Sequence, residues 1–354
     1  MRRTSHTEAQ RHGGDWGIVL AIRLLTRLAA SWKFLFLFVV SWYAIRWDQR
    51  ACANERPAVL VVVGAAGEKE FGEQFAKWAE RWKVAAEKGN AEFAVIGLAD
   101  EDGKTDRERL QERIGSWAAS SSEVAWLVLI GHGTFDGKVA RFSLRGPDFT
   151  PSELASWLKP VERQVAVIDC TSASGPFLNE LSAKNRVVVT AARSGVEYNY
   201  ARFGDHFSAA INDLQADLDK DDQTSLLEAF LLATSRVKEF YEGEGRLATE
   251  HALIDDNGDG LGTPADWFQG LRATKAAKDG APLDGLRAGQ IVLVRSAREQ
   301  QLPPEIRVRR DELERELAEL RQRKGKLAED EYLSLLEPIL VALAKLYEAA
   351  EAAR

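Results

Sequence analysis

The run Leu127-Val128-Leu129-Ile130-Gly131-His132-Gly133, answered further on by Val165-Ala166-Val167-Ile168-Asp169-Cys170-Thr171-Ser172, is the part of the chain whose reading decides the fold. Each begins as an unbroken aliphatic segment, the composition of a strand covered on both faces, and such strands belong to parallel sheets sandwiched between helices. Working outward, similar runs stand at Ala58–Val63, Phe93–Leu98 and Arg186–Thr190, and join Ala125–Ile130 and Gln164–Ile168 as strand candidates. The intervals between them carry helical patterns. Phe71, Phe75, Trp78 and Trp82 recur at helical spacing, Arg107 to Ser116 has a polar-faced helical pattern, and Phe177, Leu178 and Leu181 imply a crossover helix. Strand alternating with helix predicts an α/β fold, a three-layer sandwich around a mostly parallel central sheet.

Local signals fill in the rest. Thr150-Pro151-Ser152-Glu153 reads as a helix start with N-cap, first-turn proline and capping-box glutamate, running through Leu158. Val139–Leu144 alternates like a hairpin strand, Phe203–Leu214 and Ser225–Phe240 read as helices, and the acidic loop Asp217–Asp222 between them is expected to be exposed. Gln290–Arg295 reads as an edge strand. Leu302-Pro303-Pro304 then breaks the chain, and residues 301–354 are expected to form a helical hairpin. Its stripes are Leu313, Leu317, Leu320 and then Leu335, Leu336, Ile339, Leu340, Leu343, Leu346; they either pack back on the core or present a site for a helical partner.

The N-terminus has a separate character. A basic stretch through Lys33 leads into Phe34-Leu35-Phe36-Leu37-Phe38-Val39-Val40, and Ala51-Cys52-Ala53 is the small-x-small pattern that signal peptidase accepts. Residues 1–53 therefore read as a signal peptide cleaved after Ala53 or as an uncleaved membrane tether, and the protein as exported, periplasmic or secreted. Residues 54–300 then form the main domain. Removal of Cys52 leaves Cys170 as a lone thiol. With a formal net charge of −7 and a pI near 5.5, the chain has no basic field for phosphates, which argues against nucleic acid as a partner.

His132 and Cys170 each stand just past the carboxyl end of a strand, where open parallel sheets bind ligands. A thiol attacks an amide carbonyl as thiolate, and an imidazole within reach takes that proton and later returns one to the leaving amine. The amides of Gly133 and Cys170 are candidate oxyanion donors, and a helix starting after the small residues Thr171 to Gly175 would favour the thiolate. The competing reading is a buried structural thiol and a turn histidine. Asp169 either lines a pocket or caps the turn. Ser194, Glu197 and Tyr198 line the pocket for the residue before the scissile bond or are simply loop polarity. His206 and His251 show no partner and read as structural.

Apolar strand, Gly131-His132-Gly133, crossover, apolar strand, Asp169-Cys170 resembles the legumain family of asparaginyl endopeptidases and its caspase-like clan over about Ala58 to Phe268. Asn185-Arg186-Val187-Val188-Val189-Thr190-Ala191-Ala192 is also similar to the legumain strand ending in Thr-Ala-Ala. The resemblance implies a caspase-like sandwich and a cysteine endopeptidase acting on protein or peptide through a Cys170 thioester, with His132 as general acid/base and no cofactor required for catalysis. It carries only His132, Gly133 and Cys170 as matching functional positions. Legumain has Glu-Ala-Cys and caspases Gln-Ala-Cys where this chain has Ile168-Asp169-Cys170, so neither specificity transfers. A transpeptidase or transamidase using the same dyad and a non-catalytic caspase-like binding scaffold are the alternatives.

A second motif spans Asp255 to Asp266. Asp255, Asn257 and Asp259 occupy positions one, three and five of a calcium-loop rule, with Gly260 at six and Asp266 at twelve, so a structural calcium is expected there against a plain Asp/Gly turn.

Overall fold

In the computed structural model the described residues are 56–99, 103–118, 121, 123–197 and 199–352; the expected leader 1–53, with Cys52, and Tyr198 lie outside them. Strand β1 (Ala58–Val63) lies between β2 (Glu92–Ile96) and β3 (Ala125–Ile130), all parallel. β6 (Val165–Asp169) and β7 (Arg186–Thr190) continue the parallel set. Two short antiparallel strands, β8 (Leu253–Asp255) and β9 (Thr263–Pro264), close that side, giving a seven-stranded sheet in the order β2-β1-β3-β6-β7-β8-β9. The mostly parallel α/β sandwich is the arrangement the sequence leads one to expect.

Two helical layers cover the sheet, and alternation along each strand divides the side chains between them. On one face lie α1 (Lys69–Lys88), α5 (Phe203–Ala210) and α6 (Leu226–Gly243), which bury Phe75, Trp78, Trp82, Phe207 and Phe230 against Trp126, Val128, Ile168 and Cys170. The other holds α2 (Asp106–Ser116), α3 (Pro151–Leu158) and α4 (Gly175–Leu181), packed on Leu127, Leu129, Val165 and Val167. Thr150 and Ser225 close full capping boxes with Glu153 and Glu228, so α3 and α6 start where local chemistry satisfies their free amides.

Three expectations change. Gln290–Arg295 is not an edge strand: α7 (Leu286–Gln290) ends there, and Val292 makes only an isolated bridge to Ser225. Ile291 and Leu293 are buried as part of the core, and buried apolar residues two apart imitate a strand. The helix from Phe203 stops at Ala210. Finally, the acidic loop is exposed as expected from Leu218 to Asp222, but Asp217 at its start is 5% exposed, because its carboxylate accepts the amides of Lys220, Asp221 and Asp222.

The C-terminal hairpin forms as expected, from α9 (Pro304–Arg323) and α10 (Glu329–Ala352), after a short α8 (Ala297–Gln301). Leu313, Leu317 and Leu320 are buried. Glu123, at the base of β3, receives Arg295 at 2.5 Å and Arg307 at 3.5 Å, and Gln290 donates to the Asp311 carbonyl at 3.0 Å. Through α9 the hairpin packs back on the core, while Leu335 and Leu340 of α10 stay exposed, and everything from Arg56 onward forms one compact unit.

Candidate functional site

β3 and β6 are neighbours in parallel register with Leu129 opposite Asp169, so the two reactive strand ends meet at one edge of the sheet. Cys170 continues the set Ala166, Ile168 and faces α1 and α5. His132 lies on the same side, its ring edge-on to Phe71 at 4.9 Å and Phe75 at 5.3 Å, both residues of α1. The structure therefore brings the two residues into one neighbourhood. Gly133 explains how closely: a Cβ there would lie 2.8 Å from Thr171 Oγ1 and 3.0 Å from Ala173 Cβ, so the histidine turn can rest on the cysteine turn only without a side chain.

The histidine is oriented by the backbone. Its Nε2 is 3.1 Å from the carbonyl oxygen of Ala66, and a carbonyl only accepts, so Nε2 carries the hydrogen and Nδ1 keeps the lone pair of the neutral ring. No hydrogen bond joins the ring to Cys170 Sγ among the described residues.

Cys170 is a free thiol, 3% exposed. Burial pushes it well above the usual thiol range, and the charges of Asp169 and Glu250 push the same way. Helix α4 begins at Gly175, after the small residues as expected, but it packs on the face of the sheet opposite Cys170. Over the thiol lies the start of α5: a Cβ at Gly204 would stand 2.8 Å from Cys170 Cβ and 2.6 Å from the Trp78 ring. This cover is tied down at three points. Tyr200 donates to Gln74 of α1 at 2.6 Å, and the amides of Arg202 and Phe203 each donate to buried Glu250 at 2.9 Å.

One of the two expected oxyanion donors is engaged. The Cys170 amide donates to the Leu129 carbonyl at 2.9 Å as the next rung of the β3–β6 ladder. The Gly133 amide is differently placed. In the hairpin of β4 (Gly133–Phe135) and β5 (Ala140–Phe142), Ser143 N–H donates to His132 O at 3.0 Å, and antiparallel pairs alternate, so Gly133 and Phe142 form the pair without ladder bonds.

The pocket residues fare unevenly. Asp169 is wholly buried on the opposite face from Cys170, and its Oδ1 accepts the Thr171 amide at 2.9 Å; it caps the turn and lines no pocket. Glu197 is committed to His251, whose Nδ1 lies 2.7 Å from Oε1 and whose amide donates to Oε2 at 3.1 Å. That pairing gives His251 a partner across 54 positions, which no local pattern could reveal. Ser194 is half-buried, its hydroxyl accepting the Val196 amide at 3.4 Å.

The expected calcium set does not converge. Asp255 accepts the amides of Gly258 and Gly260, Asn257 that of Asp259, and Asp259 that of Leu261, while Asp266 stands exposed on a 3-10 turn, Ala265–Trp267. These are turn caps, each side chain folded onto its own loop. The carboxylates that do gather among the described residues are Asp217, Asp219 and Asp221, with one oxygen each within 4.8 Å of the others. Burial and the neighbouring Asp221 and Glu228 push Asp219 up to about 6. Beside the first loop, Asp284 accepts from Asp256 N–H and Thr263 Oγ1, and burial with the Asp256 charge pushes it up to about 8.

No family model matches the chain, and no curated protein is similar to it. Solved structures with a similar arrangement include the initiator caspase Dronc of Drosophila, at 15% identity over 58% of this chain and 80% of that one, TM-score 0.38. A protein of Geobacter sulfurreducens is similar at 13% identity over 51% of this chain and 89% of that one, TM-score 0.34.

Proposed function

We propose that the protein is a cysteine endopeptidase of legumain-like type in which Cys170 is the nucleophile and His132 the general acid/base. The observation that carries this reading is the pairing of their strands: both side chains leave the carboxyl edge of adjacent parallel strands on the same face, with His132 turned by Ala66 O so that Nδ1 is the free base. In the reaction His132 takes the thiol proton, Sγ bonds the scissile carbonyl carbon, and the Gly133 amide stabilises the oxyanion. As the carbon–nitrogen bond breaks, His132 gives its proton to the leaving amine. Water, deprotonated by the same imidazole, then opens the thioester and releases the acid and the thiol. An amine in place of water would make the same acyl-enzyme a transpeptidase.

The depth of Cys170 and its raised thiol favour one rival, a binding scaffold that keeps the dyad unused. Peptide acyloxymethyl ketones discriminate the two, because they alkylate a cysteine that is both reachable and activated. Labelling at Cys170 in native protein that is absent from His132→Ala supports the enzyme. No labelling of native, exported, full-length protein would leave the scaffold standing. The reading includes export by the leader 1–53 and a substrate of protein or peptide class.

A further inference from the structure

Asp169 is adjacent to the nucleophile in sequence and wholly buried, with no cation acting on it among the described residues. On its face of the sheet, β3 opposes it with apolar Leu129 and β7 with Thr190. The titratable residue of α4 is Glu180, which is exposed, and that of α3 is Glu153, which is paired with Arg107 at 2.5 Å. Arg186 lies at the far end of β7 and donates to the Leu181 carbonyl. The polar atoms around Asp169 are similarly short of partners: its own Oδ2 and the hydroxyls of Thr171 and Thr190 are buried without a hydrogen bond among the described residues. A carboxyl so placed serves no packing purpose that an asparagine or a serine would not serve better.

We propose that Asp169 is a positioning residue that works on Cys170 through the sheet, fixing the thiol's turn by its bond to Thr171 and opposing thiolate formation by its charge. The first half is geometric. Oδ1 holds the Thr171 amide at 2.9 Å, and this bond sets the direction in which the chain leaves β6. The second half follows from proximity. A carboxylate one residue from a buried sulfur, with no cation between them, raises the energy of a second anion. Burial pushes Asp169 up to about 7, so its charge changes inside the range where such a thiol would be used. On the near side Tyr200 and Glu250 act on Cys170, with His132 on the same face, and Glu250 is the other carboxylate acting on the sulfur. This inference deepens the endopeptidase reading for its relevance to catalysis, but its test reads the thiol alone.

The test is the rate of Cys170 alkylation by iodoacetamide, a small uncharged probe, followed by intact mass from pH 5.5 to 10 in the full-length protein. The wild type is expected to show a ramp interrupted near pH 7, where Asp169 ionises and lifts the thiol. Asp169→Asn, which keeps an oxygen for the Thr171 amide, is expected to give one uninterrupted ramp that follows the wild type below about pH 7 and lies about one unit lower in pH above the break, close to tenfold in rate at about pH 9. Glu250→Gln is expected to keep the interruption. A wild-type ramp with no break overturns the proposal, and it does so even should Asp169→Asn fail to fold. A break that survives in Asp169→Asn and vanishes in Glu250→Gln overturns it as well. A chain that cleaves no peptide still answers the question, so failure here and failure of the endopeptidase reading are separate results.

Discussion

Ala66 holds His132: the carbonyl oxygen of the first lies 3.1 Å from Nε2 of the second, across 66 positions of chain, and joins the loop after β1 to the turn after β3. A backbone oxygen cannot be removed by mutation, and it leaves Nδ1 free whatever side chain residue 66 carries. The orientation of the imidazole thus depends on the β1–β3 pairing and not on an acidic third residue. Replacing Cys170 by Ala or His132 by Ala should therefore abolish peptide cleavage with little change in melting temperature. Residual kcat/KM above about one hundredth of wild type in both variants would exclude the dyad, since a lost general base costs on the order of 100-fold or more.

The cover over the thiol should be adjustable. Tyr200→Phe removes the bond to Gln74 and leaves the aromatic packing on Phe71, at 5.0 Å, in place. Alkylation of Cys170 should rise severalfold with the melting temperature nearly unchanged; an unchanged alkylation rate would mean that Tyr200 does not gate the sulfur.

Gly204→Ala acts on the same contact from the other side. The added methyl meets Cys170 Cβ and the Trp78 ring at less than contact distance, and overpacking of this kind costs about 1–3 kcal/mol. Calorimetry should show a lower melting temperature, and the double variant with Cys170→Ala should recover little, because the thiol's Cβ remains.

Stability should fall as pH rises. Asp219, Asp169 and Asp284 are pushed up to about 6, 7 and 8 in the folded chain, above their unfolded values. Each favours the fold while it keeps its proton; that contribution is complete below pH 4 and is lost as pH climbs through the folded value. Melting temperature should decline from about pH 4 to about pH 8, most steeply at the lower end where all three contribute, and Asp284→Asn should flatten the upper part of that decline. A parallel curve for the variant would remove Asp284 from the explanation.

The active form should be a single chain between Cys170 and β7. Helix α4 and its flanks take up the stretch Thr171 to Asn185, and Ser174 Oγ accepts the Ala192 amide at 2.9 Å, so a cut there would release the cysteine turn from its neighbour. Intact mass of probe-labelled protein should show no fragment ending between Thr171 and Asn185; two fragments divided there would refute this.

Much of this was legible in advance for a physical reason. β3 and β6 are buried on both faces, so their composition alone marks them, and the residues that follow them must lie at the ligand-binding edge. The capping boxes at Thr150 and Ser225 are local and equally readable. What escaped depends on distance or on short length. β8 and β9 have three and two residues and sit inside an Asp/Gly stretch, where turn chemistry masks strand character. Glu197 with His251, Glu250 with the amides at Arg202 and Phe203, and the Leu129 bond that occupies the Cys170 amide are tertiary pairings with no trace in periodicity.

The aromatic wall behind the thiol has an optical consequence. Trp78 is 2% exposed, its ring 6.2 Å from that of Tyr200 and pressed by the Gly204 backbone that rests on Cys170. Any displacement of Tyr200 and Gly204 that admits a substrate to the sulfur must change the polarity and packing around this one indole. The protein therefore carries an intrinsic fluorophore on the door itself, and a Trp78→Phe difference spectrum would report opening in real time without a label, a substrate or a reactive probe.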